Sequence, residues 1–128
     1  MRAGGRGAAY CAAHTGPPRG GLRRALQVAE AAGLPCVVSS ALETSVGLAA
    51  QLALAGALPE LDFACGLGTL SLLTGDVTPG SLRPSDGYLP VLRTPPAPDP
   101  DLLERHRHPD AERTAWWQER LARVTALL

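Results

Sequence analysis

From Leu22 to Ala32, apolar residues recur at Leu22, Ala25, Leu26, Ala29 and Ala32, with Arg23, Arg24, Gln27 and Glu30 between them. That is the period of an amphipathic helix. Gly33 suits a left-handed C-cap, and Pro35 prevents continuation. Next comes Cys36-Val37-Val38, a β-branched run of the kind found in a strand covered on both faces. Ser39, Ser40, Thr44 and Ser45 crowd the point where the chain leaves that strand. Thr44 or Ser45 is suited to cap the helix that follows, and the positive end of that helix favours an anion. This helix, from about Ser45 to Leu58, is apolar nearly all round. Leu48, Leu52, Ala55 and Leu58 line one side, and Val46, Ala49, Ala53 and Ala57 another. It is therefore expected to be covered by neighbours. Pro59 ends it. A second strand, Leu61 to Cys65, runs into Gly66-Leu67-Gly68-Thr69, and a short helix through Leu70, Leu72 and Leu73 closes near Gly75.

Helix, strand, helix, strand and short helix make about two βα units of a parallel α/β protein. Two strands cannot close a sheet, and a complete (β/α)8 barrel takes roughly 250 residues. Beyond Asp76 the texture changes. Thr78-Pro79-Gly80 and Pro84-Ser85-Asp86-Gly87 are turn chemistry, and Tyr88 to Leu92 is a candidate edge strand or extended segment. Thr94 to Pro100 is a proline-rich connector. Asp101–His106 and Ala111–Leu127 read as helices, with Trp116, Leu121 and Val124 forming a stripe suited to pack on the main body and Trp117 able to join it. Upstream, the first 20 residues are rich in Gly, Ala, Arg and Pro and keep no helix or strand period. Three segments are thus expected: a low-complexity, disordered leader over 1–20, the βα units over 21–76, and an extended and helical segment over 77–128.

Composition removes several function classes. Apolar residues make up 45% of the chain but aromatics only 4%, so Leu, Ala and Val must fill the core. Formal net charge is zero, which offers no general attraction to nucleic acid or to an acidic membrane. The longest apolar stretch, Val46 to Leu58, is too short to span a bilayer, and the N-terminus has no continuous apolar run of a secretory signal. A soluble, cytoplasmic chain is expected. Cys11, Cys36 and Cys65 show no metal-ligand spacing, and Cys36 and Cys65 sit in apolar runs as small buried thiols do. All 12 basic Lys and Arg positions are Arg; there is no lysine.

Candidate chemistry is sparse. Glu43 is the one acidic residue in the serine turn. It is suited to orient a ligand or a neighbouring loop, but an ion pair with an Arg from another strand is the favoured reading. Asp62 and Asp76 form a nominal carboxylate pair, although Asp62 lies near the start of its strand, the wrong end for barrel chemistry. His106 and His108 stand among arginines, which disfavours a divalent cation. Gly66-Leu67-Gly68 lacks the third glycine and the context of a dinucleotide site.

The run Val38-Ser39-Ser40-Ala41-Leu42-Glu43-Thr44-Ser45-Val46-Gly47, followed by Ala64-Cys65-Gly66-Leu67-Gly68-Thr69, strongly resembles the C-terminal part of the o-succinylbenzoate synthase family, in its actinobacterial form. Gly20-Gly21-Leu22, Asp86 to Val91 and Trp116-Trp117 are also similar, so the resemblance covers about Gly20 to Leu127. It implies an enolase-superfamily protein: a modified TIM barrel with a capping domain, binding Mg2+. Its enzyme dehydrates 2-succinyl-6-hydroxy-2,4-cyclohexadiene-1-carboxylate to o-succinylbenzoate in menaquinone biosynthesis. One lysine removes the proton alpha to the carboxylate, the metal stabilises the enediolate, and an opposed lysine assists. Residues 36–39 and 62–65 would then be the seventh and eighth barrel strands. By the same resemblance Ser39 and Ser40 hold a substrate carboxylate, and Gly66 and Gly68 line the pocket because a side chain there would obstruct it.

The departures from the family are equally specific. The resemblance places the catalytic lysines on the second and sixth strands and the acidic metal ligands on the third to fifth. Those elements do not correspond to any residues here, and Tyr10 to Pro17 stands where the sixth-strand lysine belongs. No catalytic residue and no metal ligand is carried over; His14 is a poor substitute in a Gly/Pro-rich context. The expectation is a partial TIM-type barrel, the last two βα units with a C-terminal helical and extended segment, inactive alone. Such a chain could come from a truncated or frame-shifted gene. Its partners would be a small-molecule carboxylate and either the missing barrel half or another copy. Two alternatives are a fragment of an N-acylamino acid racemase or dipeptide epimerase, and a non-catalytic fragment.

Overall fold

The computed structural model describes residues 9–11, 21–33 and 35–127. Its elements are β1 (Ala9–Cys11), α1 (Gly21–Ala32), β2 (Cys36–Val38), α2 (Ser45–Ala57), a 3-10 turn (Thr69–Leu72), α3 (Pro100–Arg105) and α4 (Ala111–Thr125). β1 and β2 are parallel, with Ala9, Tyr10 and Cys11 opposite Cys36, Val37 and Val38. Helix α1 connects them, which makes a βαβ unit. Strand β1 lies where the sequence pattern shows only a leader. Three residues are too few for a period to register, and the parallel partner β2 supplies what local pattern does not. The rest of the expected leader, 1–8 and 12–20, lies outside the described residues.

Helix α1 ends as expected: Gly33 has φ of +58°, the left-handed conformation that a glycine adopts without steric cost. Arg23, Arg24, Gln27 and Glu30 are exposed, and Leu26 packs against the core. All three residues of β2 are buried, Val38 completely. Helix α2 sits over β2 and buries Leu48, Ala49, Leu52, Leu54 and Ala55, together with Ser45 and Gln51. Leu67, Leu70 and Leu82 complete the buried cluster, with Leu89 and Leu92 packed at its edge. Gly56 lets the 89–92 segment approach α2: a Cβ there would lie 3.0 Å from Val91 Cγ2.

The second predicted strand does not form. Residues 61–64 are exposed, and the segment pairs with β2 only through a single parallel bridge, Ser39 to Gly66. A parallel strand buried on both faces needs cover on each side. Here Leu61 and Phe63 each remain 51% exposed, so burial does not drive the segment into line. The candidate edge strand at Tyr88–Leu92 shrinks in the same way to one antiparallel bridge, Ser85 to Tyr88. Asp86 and Gly87 between them both have positive φ, as the tightest hairpin turns require.

Both C-terminal helices are present and capped. Asp99 accepts from the N–H groups of Asp101 and Leu102, and Asp110 from those of Glu112 and Arg113. The stripe on α4 is not packed, however. No residue of α4 is buried, and Trp116, Trp117, Leu121 and Val124 all remain exposed. Instead the two Trp rings meet edge to face at 4.7 Å, with Arg120 near both.

Candidate functional site

The serine turn and the glycine loop meet at the end of β2. Gly66 N–H donates to Val38 O at 2.9 Å, and Ser40 N–H donates to Gly66 O at 3.0 Å. These two bonds bring Ser39, Ser40 and Gly66 together. A Cβ on Gly66 would lie 2.9 Å from Ser39 Oγ, closer than such atoms approach, so a side chain there would force the Ser39 hydroxyl to turn away. Gly68 is different. A Cβ there would make ordinary contact with Pro84 at 3.6 Å, and nothing in the geometry demands a glycine.

Ser40 Oγ donates to Gly66 O at 3.1 Å and lies 2.6 Å from Thr69 Oγ1. Thr69 opens the 3-10 turn, whose Leu70 is fully buried and anchors the backbone. In the sequence Thr69 stands only as the last residue of the Gly66-Leu67-Gly68-Thr69 motif, with no role marked for it. Its spacing from Ser40 along the chain carries no period, and only the parallel bridge brings the two hydroxyls together.

The expected helix cap is also replaced. Thr44 is the N-cap of α2 but makes no capping bond through its side chain. The N-terminus of α2 is closed by Asp76, which is 31 positions further along the chain from Ser45. Asp76 Oδ1 accepts from Ser45 N–H at 3.0 Å and from Val77 N–H at 2.8 Å. Its Oδ2 accepts from the hydroxyls of Ser45 and Thr78. Ser45 Oγ in turn accepts from Leu82 N–H at 2.8 Å. Burial pushes the Asp76 carboxyl up, but the bonds it accepts from the Ser45 hydroxyl, Ser45 N–H, the Ser81 hydroxyl and Val77 N–H outweigh that and hold its pKa below the ordinary value. The anion favoured by the helix end is thus one of the protein's own side chains. The sequence signal was an aspartate followed closely by Thr78 and Ser81, a pattern of local hydroxyl-carboxylate bonding.

Other candidates fall away. Glu43 makes no ion pair among the described residues: its side chain lies back along the first turn of α2, against Gly47, and its Oε2 is buried without a hydrogen-bond partner. His108 Nδ1 accepts from Asp110 N–H at 3.1 Å, while the His106 ring lies against Gly75. Asp62 borders an apolar cleft of about 540 Å³ between α2, residues 61–65 with Leu67, and the Asp86–Gly87 turn. None of Ser39, Ser40, Gly66 or Gly68 lines that cleft. Among the described residues no group of three or more His, Cys, Asp and Glu is placed to hold a metal ion. Mg2+ therefore has no fitting ligand set among them. Cys36 is buried, and Cys65 Sγ accepts from Val38 N–H at 3.4 Å.

A βαβ unit is the building block of parallel α/β proteins, and the sequence profile of the enolase C-terminal domain-like family matches residues 15–97. The chain belongs to that family. Its relatives are more specific: the o-succinylbenzoate synthase of Thermobifida fusca (strain YX) is 53% identical over 109 residues, 85% of this chain and 32% of that protein. The o-succinylbenzoate synthase of Mycobacterium tuberculosis is 46% identical over 111 residues, 87% of this chain and 33% of that protein. That of Mycobacterium leprae is 47% identical over 111 residues, covering 87% and 32% respectively. The chain spans about a third of the length of these curated relatives.

Proposed function

We propose that this chain is the carboxylate-holding part of an o-succinylbenzoate synthase, a cytoplasmic lyase of menaquinone biosynthesis, and that it binds its ligand without turning it over. The observation that carries the reading is the junction of Ser39, Ser40 and Gly66 at the end of β2, with Thr69 behind it. Ser39 and Ser40 supply the hydroxyls for a substrate carboxylate, and Gly66 and Gly68 leave the approach open. In this reading β1, β2 and the Gly66 bridge are the sixth, seventh and eighth places of a TIM-type barrel. No helix among the described residues is long and apolar enough to cross a membrane.

Dehydration needs a base for the proton alpha to the carboxylate and a way to stabilise the charge that follows. The chain has no lysine. In the complete enzyme a bound Mg2+ would supply that charge stabilisation, its ligands being other than the residues described here. The test is a coupled assay for o-succinylbenzoate with magnesium. The purified chain should show no turnover. Added to residues of the Thermobifida fusca enzyme that precede the matched region, it should restore activity. Turnover by the chain alone would overthrow the division of labour. If the chain fails both to rescue activity and to bind o-succinylbenzoate, the assignment itself falls.

A further inference from the structure

The Asp76 carboxylate already fills the N-terminus of α2, so an incoming carboxylate would meet a buried negative charge there. The side-chain donors left at the turn are hydroxyls. We propose that Thr69 is a positioning residue of the carboxylate cradle, acting through Ser40; this rests on the functional reading above. With the Ser40 proton directed at Gly66 O, the Thr69 hydroxyl is the donor in the 2.6 Å bond to Ser40 Oγ. Gly66 O also accepts from Ser40 N–H, so it stays satisfied when the Ser40 hydroxyl turns away. The Ser40 proton is thus free to swing to a carboxylate while Thr69 keeps donating to its oxygen. A hydroxyl that accepts one hydrogen bond donates a stronger one, because each bond polarises the next. Thr69 is held for this role by its backbone, since Leu70 beside it is fully buried and Ser71 N–H donates to Gly68 O.

The test is an NMR titration of the 128-residue chain with o-succinylbenzoate, each variant checked by its thermal melt. Thr69→Val keeps the shape and removes the hydroxyl, and should weaken binding about three- to tenfold, the net effect of one hydrogen bond. Thr69→Ser should restore affinity to within about twofold, a rescue that follows from the hydroxyl and not from β-branching. Thr69→Ala serves as a second hydroxyl-free variant should Val disturb the fold. Combined with Ser40→Ala, Thr69→Val should add no further loss, because a residue acting through another is not additive with it. Unchanged affinity in both hydroxyl-free variants, while Ser40→Ala still loses binding, overturns the Thr69 role alone. Fully additive losses overturn its action through Ser40. Absence of binding by the unaltered chain removes the functional reading and this inference together.

Discussion

Gly66 and Gly68 belong to one motif but face different neighbours. Gly66 crosses β2 where a methyl group would collide with Ser39 Oγ, whereas Gly68 has room beside Pro84. Gly66→Ala is expected to destabilise the chain by about 0.5–1.5 kcal/mol, the cost of turning the Ser39 side chain off its rotamer. Gly68→Ala should change stability by no more than about 0.5 kcal/mol, as at an unconstrained surface position. Urea denaturation of both variants checks the contrast, and equal effects would mean that the Ser39 crossing relaxes freely. Sequence alone could single out both glycines but could not rank them, because the ranking depends on which atom sits opposite.

At the scale of elements, the N-terminus of α2 joins two loops. Asp76 is buried, and its carboxylate takes backbone and hydroxyl donors from Ser45 and from the chain after it. Its pKa is lowered on folding, so its contribution is complete above the unfolded value of about 3.9 and is lost as pH falls through the folded value. The unaltered chain should therefore lose stability on acidification below about pH 4. Asp76→Asn should be destabilised by about 1.5–3 kcal/mol at pH 7, the range for a hydrogen bond to a charged group, and should show a flatter stability profile in that acid window. Urea midpoints measured from pH 7 down to the acid limit decide this. A variant with the same acid slope as the unaltered chain would place the titrating group elsewhere. Helix α4 gives the opposite case. With none of its residues buried, removing 111–128 should shift the thermal midpoint of the remaining core by only a few degrees, the equivalent of about 1 kcal/mol or less.

For the whole molecule the decisive feature is incomplete cover. Leu61, Phe63, Tyr88 and Val91 are exposed around the apolar cleft beside α2, and the segment that should have paired as a strand makes only one bridge. Exposed apolar surface next to unpaired backbone favours association. Sedimentation over a range of concentrations should show mass rising with concentration, and Phe63→Asp should reduce that rise without lowering the melt. A sharp, concentration-independent melt of a monomer would count against it. The same incompleteness accounts for the catalytic expectation: the turn can hold an acid group, but the chain carries no lysine to serve as base.

Helices α1, α2, α3 and α4, strand β2 and the turn at Asp86–Gly87 were legible in the amino-acid sequence, because local rules govern them. An apolar period sets α1 and a long apolar run sets α2, Gly33 and Pro59 stop these two, and a β-branched run sets β2. The likeness to o-succinylbenzoate synthases was legible too, through two motifs about twenty residues apart. Three features depended on the tertiary structure: strand β1, the lapse of 61–65 into a single bridge, and the exposure of the α4 stripe. Each depends on whether a partner is present to accept backbone bonds or cover a face, and a local pattern holds no record of that. The site divides in the same way. The sequence marked Ser39, Ser40 and Gly66 by type, while the fold brought Thr69 to Ser40 and Asp76 to Ser45, because hydrogen bonds between loops are decided by distance in space.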